Sequence, residues 1–320
     1  MGRYEDLRVV AFGGGTGLPV LLRGLKDRVG DLTAVVTVAD DGGSSGRLRQ
    51  ELGVAPPGDV RNCLVALAGR KKLAEVFDYR FEGGGDLSEH TVGNIIIAAL
   101  ADMAGGFLEG VAQAARFLRI KGQVYPAATE SLTLLVTHSD GSVTRGESVV
   151  REVGKAVTRV EVEPEGAPAP PGVISAIEGA DVVVLSPGSL FTSTIPALLG
   201  AGVREALGDF SGPVLYAANA MTQPGETVGF TLSEHLRSLA DHAGPVVTDV
   251  LVHSGGLPKE LLARYEVEGA ALVEVDREDV EKLGIRVHES VLLSEAAEAG
   301  VRHDPERLAG EVCEAALLRL

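Results

Sequence analysis

Apolar residues along this chain fall into two patterns, short unbroken runs and longer stretches with helical spacing, and the two alternate. LRVVAF (Leu7–Phe12) reads as a strand buried on both faces. It runs into GGGTG and then LPVLLRGLKDRV, a helix whose Pro19 falls near the first turn, where a missing N–H costs least. LTAVVTVA (Leu32–Ala39) predicts a second strand, and DDGGSSGRLRQEL turns back into a helix. Strand, glycine loop, helix, strand is the opening of a Rossmann-like open, mainly parallel α/β sheet that receives ligands at the carboxyl ends of its strands.

The middle of the chain changes character. Residues 59–121 carry helical patterns with no convincing strand, interrupted by the glycines at 83–85, and predict a helical insertion or cap over the cleft. LTLLVTHSDG and GSVTRGE suggest a hairpin turning at Asp140-Gly141, with Val157–Val162 as a further strand. Buried-strand patterns return in ADVVVLSPGS (Ala180–Ser189), PVLYAANA (Pro213–Ala220) and VVTDVLVHSG (Val246–Gly255), each ending in small or polar residues. ALVEVD and IRVHESV read as short late strands, KELLARY as a helix and RLAGEVCEAALLRL as a closing one. No short-period repeat divides the chain, so 1–320 is expected to be a single α/β domain with the insertion inside it.

Charge narrows the partners. Lys plus Arg number 29 against 45 Asp plus Glu, a formal net charge of -16, and Trp is absent. That balance disfavours non-specific attraction to nucleic acid or anionic lipid, and few aromatics leave no stacking platform for single strands. The start has acids before a short apolar run, unlike a signal peptide, and no stretch approaches the ~20 apolar residues of a membrane span. The expectation is a cytoplasmic protein with no membrane partner. Cys63 and Cys313 have no CxxC or zinc spacing and read as buried small hydrophobes.

Candidate chemistry sits where the strands end. Gly13, Gly14, Gly15, Thr16 and Gly17 follow the first strand, where glycines permit a tight turn and the next helix offers free N–H groups to an anion. The spacing is neither the dinucleotide GxGxxG nor a Walker sequence. Asp40 and Asp41 end the second strand; either can accept from ribose hydroxyls, hold Mg²⁺ bridged to phosphate, or cap the next helix. Arg47 is a phosphate fork or a surface arginine. In PPGDVRNC, Asp59 has the ordinary reading of an N-cap, while Asn62 is polar among Leu64, Val65 and Leu67. Asn94, next to Ile95–Ile97, either faces the cleft or joins a satisfied core network. Gly188 and Ser189 in SPGSLFTS can cradle phosphate without a lysine. Asn219 is placed to orient a base, sugar or phosphate.

Taken together, AFGGGTGLPVLLRGLK, VADDGGSSGRLR, PPGDVRNCLVALA, HTVGNIIIAAL, SPGSLFTSTIPALL and ANAMTQPGET resemble the bacterial YvcK, or GlmR, gluconeogenesis factors, relatives of the archaeal 2-phospho-L-lactate transferase CofD. The resemblance spans nearly the whole chain and implies a CofD-like fold. It also implies a binder of UDP-sugars, chiefly UDP-N-acetylglucosamine, that serves cell-wall precursor supply and cell shape during gluconeogenic growth. A protein partner in amino-sugar metabolism and a homodimer are implied with it. By the same resemblance Tyr265 and Arg302 fall on positions associated with the nucleotide sugar. The transferase relatives imply an alternative, Mg²⁺-dependent transfer of a phospho-hydroxyacyl group from a nucleotide diphosphate donor, with Asp40 and Asp41 as catalytic or metal-holding residues. The chain departs from them in having SPGSLFTS in place of a GPSNP pattern, so whether it is an enzyme stays open at this point.

Overall fold

The computed structural model describes residues 4–83, 86–294 and 300–319. The chain opens with β1 (Arg8–Gly13), α1 (Gly17–Leu25) and β2 (Asp31–Val36). From Val9 and Leu32 onward β1 and β2 are buried at every position, as strands covered by helices on both faces must be. Helices α2 (Gly43–Leu52), α3 (Gly58–Leu67), α4 (Lys71–Asp78), α5 (Val92–Ala104) and α6 (Phe107–Leu118) follow before β3 (Gln123–Pro126). Gly84 and Gly85 of the predicted break lie outside the described residues; Gly83 is in a bend between α4 and α5.

A separate three-stranded antiparallel sheet comes next, built from β4 (Thr133–His138), β5 (Val143–Arg145) and β6 (Val157–Glu163) in the order β5-β4-β6. Buried and half-buried residues alternate along β4, the pattern of a sheet with one face toward the core. The predicted hairpin turns at Asp140-Gly141 as expected, and α7 (Glu147–Val153) follows it. The chain then returns to the main sheet through α8 (Pro171–Gly179), β7 (Val182–Leu185), α9 (Val203–Asp209), β8 (Val214–Ala217), α10 (Leu232–Ala243) and β9 (Asp249–His253). It closes with α11 (Lys259–Val267), α12 (Arg277–Lys282), β10 (Arg286–Ser290) and α13 (Pro305–Leu317).

The main sheet has seven strands in the order β10-β9-β8-β7-β1-β2-β3, and every neighbouring pair is parallel. The chain winds outward from β1 to β3, then returns to place β7 on β1's other side. That reversal between β1 and β7 is the topological switch point of a doubly wound sheet, where the loops diverge and leave a crevice. The predicted strand in ALVEVD is absent: Leu272 and Glu274 make single bridges, to Met221 and Thr231. Its polar alternation serves to lay one loop over another instead of extending the sheet. Among the described residues, no helix is long and apolar enough to cross a membrane. Cys63 and Cys313 are buried free thiols, the first with its pKa pushed well up by burial.

Candidate functional site: a cleft at the switch point

A cleft of about 810 Å³ runs along the carboxyl edge of the sheet. Its floor is made where the loops after β1 and β7 meet. These loops touch backbone to backbone: a Cβ on Gly17 would lie 1.7 Å from the carbonyl oxygen of Pro187. Gly13 and Gly14 are buried beneath, while Gly15, Thr16 and Gly17 face the cleft. Gly15 takes the left-handed conformation (φ 58°), which sends the chain from strand into helix. The first turn of α1 carries neither a side-chain cap nor an acid, and Gly17 at its start lines the cleft, as at the helix N-termini that favour anions.

One amide of that loop is already engaged. Asp59, on the first turn of α3, accepts from the Gly15 N–H at 2.7 Å instead of capping its own helix. Burial pushes the Asp59 carboxyl up to about 6, opposed by the Gly15 bond and reinforced by the charge of Asp40. Asp40 also lines the cleft; it accepts from the Gly42 N–H at 2.9 Å, and burial raises its pKa. Ser45 ties the two segments together by accepting from the Gly58 N–H at 3.1 Å and hydrogen-bonding Asp40.

The adjacent acid behaves differently. Asp41 accepts from the Ser148 N–H at 2.8 Å, so its carboxylate holds the first turn of α7, and it is not among the residues lining the cleft. Arg47 pairs with Glu89 at 3.2 Å, half exposed and also away from the lining. Asn94 is buried and donates to Ser44 at 2.9 Å, a core network that includes His90. Asn62 does line the cleft, with Arg61 donating to its side-chain oxygen at 2.5 Å.

Two further acids complete this end. Glu147, at the start of α7, is brought in by the small antiparallel sheet, and its carboxyl is pushed up to about 8. Burial is the main cause, with Asp40, Asp59 and Glu226 adding repulsion against a hydrogen bond from Thr192. Glu226 is buried behind the β7 loop and receives the Ser189 hydroxyl. Ser189 also caps the single π-helical turn Leu190–Thr194 and shares a 2.6 Å bond with Thr192. Asn219 clamps the same loop: it accepts from the Gly188 N–H at 3.0 Å and donates to the Gly188 carbonyl at 2.5 Å.

The far end of the cleft, beyond β8, is more apolar, with Ala220, Met221, Ala270, Leu293 and Val301 on its walls. Tyr265, late in α11, accepts at its hydroxyl from the Val301 N–H at 2.9 Å. That bond anchors the segment carrying Arg302 and His303, both of which line the cleft. Asp304 then caps α13 by accepting from Glu306 and Arg307 N–H groups at 3.0 and 2.9 Å. Of the residues singled out in the sequence, Gly15, Thr16, Gly17, Asp40, Asn62, Gly188, Ser189, Asn219, Tyr265 and Arg302 line one cleft. Asp59, Glu147, Glu226 and His303 join them. Of these, Asp59 reads from the sequence as an ordinary N-cap, and no local spacing singles out His303.

A glycine loop, a hydroxyl-rich loop and a cleft at the switch point place this chain among the doubly wound α/β proteins, whose crevice lies outside the carboxyl ends of the strands. Comparison makes the relationship specific. Residues 9–293 match the family described as 2-phospho-L-lactate transferase CofD. The chain is 42% identical over 304 residues to the gluconeogenesis factor of Bacillus subtilis, covering 94% of this chain and 96% of the relative. It is 40% identical over 305 residues to that of Listeria monocytogenes, covering 94% and 93%. The crystal structure of a Bacillus halodurans protein of the UPF0052 family superposes with a TM-score of 0.92 at 42% identity, covering 98% of this chain and 99% of the other. The chain belongs to the CofD family, in its gluconeogenesis-factor (YvcK) group.

Proposed function

We propose that the cleft binds a nucleotide sugar, UDP-N-acetylglucosamine or UDP-glucose, and that the protein acts as a cytoplasmic regulator of cell-wall precursor supply and cell shape during gluconeogenic growth. The observation that carries this reading is the division of one cleft into two chemistries. At one end the uncapped start of α1 lies beside the Ser189 loop, which suits a diphosphate. At the other, Tyr265 and Arg302 stand on apolar walls, which suits a ring. The volume, about 810 Å³, lies within the range of small-molecule sites. Asn219, Glu226 and Tyr265 spend their polar atoms on backbone or hydroxyl groups of the loops, so the cleft is held open before a ligand arrives.

A second reading, transfer of a phospho-hydroxyacyl group, is favoured by the acids. Six carboxyl side chains line the cleft against the guanidinium groups of Arg23 and Arg302. A diphosphate entering that field is repelled unless cations accompany it. Among the described residues no three His, Cys, Asp or Glu side chains are arranged to hold a metal alone. Mg²⁺ commonly takes one or two carboxylates and completes its shell with phosphate oxygens and water. Asp40 and Asp59 fit that partial role; Asp41, committed to α7, does not. Bound there, Mg²⁺ would neutralise charge on the phosphates. For its part the chain would orient the diphosphate through α1 and Ser189; the acceptor oxygen would bond the transferred phosphorus as the bond to the departing nucleoside monophosphate breaks, and Asp59, where Asp40 alone holds the metal, would take the acceptor hydroxyl's proton.

Calorimetric titration with UDP-N-acetylglucosamine, with and without Mg²⁺, followed by chromatography of the ligand, tests the first reading. Saturable binding with the ligand intact, weakened by Arg302→Ala, supports the regulator. Absence of binding overturns it. For the second reading the donor must itself carry a phospho-hydroxyacyl group on a nucleoside diphosphate: Mg²⁺-dependent release of the nucleoside monophosphate from it, lost in Asp40→Asn, favours the transferase.

A further inference from the structure

We propose that the groove between α5 and α6, on the outside of the helical insertion, docks an acidic amphipathic helix of another protein. No residue lines both this groove and the switch-point cleft, so the proposal stands apart from the identity of the cleft's ligand.

Helix α5 carries the first sign. Asn94 and Asp102 are the only polar side chains in VGNIIIAALADMA, and a helix that is apolar all round belongs in an interior. This one is covered on one side only. Its core face holds Asn94, Ile97, Ala98 and Ala101, whereas Ile96 and Leu100 are half-buried and Met103 is 80% exposed. Those last three fall at i, i+4 and i+7, which makes a second apolar stripe along the helix. Beside it α6 sets Gln113, Arg116 and a half-exposed Phe117, again on one face. The groove between the two helices has a volume of about 490 Å³, and Arg70 stands at one end of it. Arg70 is fixed there: its N–H donates to the Leu118 carbonyl and its guanidinium to the Phe117 carbonyl, each at 3.3 Å.

The rim decides what the groove can take. The chain holds 45 acids against 29 Lys and Arg, yet Arg70, Lys71 and Lys72 open α4 and Arg116 and Arg119 close α6. Among the described residues, none of these five forms an ion pair. Three cations at the start of α4, with no acid in its first turn, oppose the helix dipole. An anionic group arriving there relieves that repulsion and meets the helix's free N–H groups as well. The acids of the two groove helices, Asp102 and Glu109, sit at the opposite end, beside the turn between α5 and α6. A second copy of this chain docking through the same face would set these cations against themselves across a two-fold axis. A flat anionic membrane would leave the groove unfilled and face the net charge of -16 behind the rim. A helix with large apolar side chains along one face and acids beside them matches the apolar stripe and the basic rim together.

Fluorescence anisotropy with two labelled helical peptides of about 18 residues, five turns long, tests this. One carries leucines along one face with glutamates beside them; the other has lysine in place of each glutamate. Both are titrated with the wild type, Arg116→Glu and Leu100→Gln, and thermal unfolding of each protein is measured alongside. The acidic peptide is expected to bind saturably and at least about tenfold more tightly than the lysine peptide, and to weaken by a similar factor between about 50 and about 300 mM NaCl. Arg116→Glu, at an exposed position of α6, should remove that preference, and Leu100→Gln should weaken both peptides. Absence of saturable binding by the acidic peptide overturns the proposal. Equal binding of the two peptides by the wild type does so too, as does an unchanged preference in a folded Arg116→Glu. Flotation of the wild type with phosphatidylglycerol vesicles, lost in Arg116→Glu, would overturn it by assigning the face to lipid. A dimer in sedimentation that Leu100→Gln dissociates would assign the face to a second copy.

Discussion

At the scale of single residues, the glycine loop divides into positions that serve packing and positions that serve the cleft. Gly17 is a packing glycine: a methyl group there meets the Pro187 carbonyl at 1.7 Å, and both partners are backbone. Gly17→Ala should therefore push the β1 and β7 loops apart and cost about 3 kcal/mol, at the upper end of overpacking effects. Gly43 provides the contrast. It has φ 45° but nothing within 4 Å of an added Cβ, so Gly43→Ala should cost only the left-handed strain, about 1–2 kcal/mol. Urea unfolding of the two variants decides the matter; equal losses would mean that the Gly17 contact relaxes freely. Tyr265 acts on the cleft through its hydroxyl, which holds the Val301 N–H. Tyr265→Phe keeps the ring and loses that bond, at about 1 kcal/mol. UDP-N-acetylglucosamine should then bind several-fold more weakly while the unfolding midpoint barely moves. An unchanged affinity would show that Arg302 and His303 are held without it.

At the scale of elements, the two adjacent aspartates are separated by what packs against each. Asp40 stays at the carboxyl end of β2, and Asp41 turns to the first turn of α7, where the Ser148 N–H needs an acceptor. Asp41→Ala should cost about 1 kcal/mol, as loss of a helix cap does, and leave affinity for UDP-N-acetylglucosamine near the wild-type value. A large loss of affinity with the fold intact would return Asp41 to the site. The sequence could not separate the pair, because α7 reaches Asp41 from 107 residues away. Local patterns were legible: the unbroken apolar runs became β1, β2, β7, β8 and β9, and RLAGEVCEAALLRL became α13. The strand β3 was not legible, since it has four residues, ends in Pro126 and pairs with β2 alone at the sheet edge. Helix α10 passed unread although Thr231 and Glu234 form a capping box before it, a signal that spacing alone offers. His303 had no such signal, and the T-x-x-E spacing of Thr144 and Glu147 marks no cap, because the helix is capped at Gly146. Glu147 and His303 each enter the cleft because a neighbouring element delivers them, and long-range delivery leaves no period in the sequence.

At the scale of the molecule, the net charge of -16 is concentrated in function as well as spread over the surface. The cleft gathers acids whose raised pKa values make the folded protein a proton acceptor. Asp59 rises from 3.8 to about 6 and Glu147 from 4.5 to about 8, both chiefly through burial. The sign of the linkage follows: between its ordinary and its raised value, each group holds a proton in the folded protein that the unfolded chain has released. Stability contributed by these groups therefore falls as pH rises through those windows and is lowest above about 8. Asp249 works in the opposite sense at lower pH. Despite its burial, hydrogen bonds from His288, Thr248 and Arg319 hold its pKa down, and the stability it adds is lost only as pH falls below the ordinary carboxylate range. Glu147→Gln removes one titrating group from the upper window without removing its bulk. With EDTA present, the variant should unfold at least about 3 °C above the wild type near pH 8.5 and within about 1 °C of it near pH 5. A gain equal at both pH values would attribute the effect to packing of the amide, and no gain near pH 8.5 would mean that Glu147 reaches water when it ionises. The expected dependence would make the cleft a site where a cation or a ligand's own groups relieve repulsion that the empty protein carries, so that binding and proton release are coupled there.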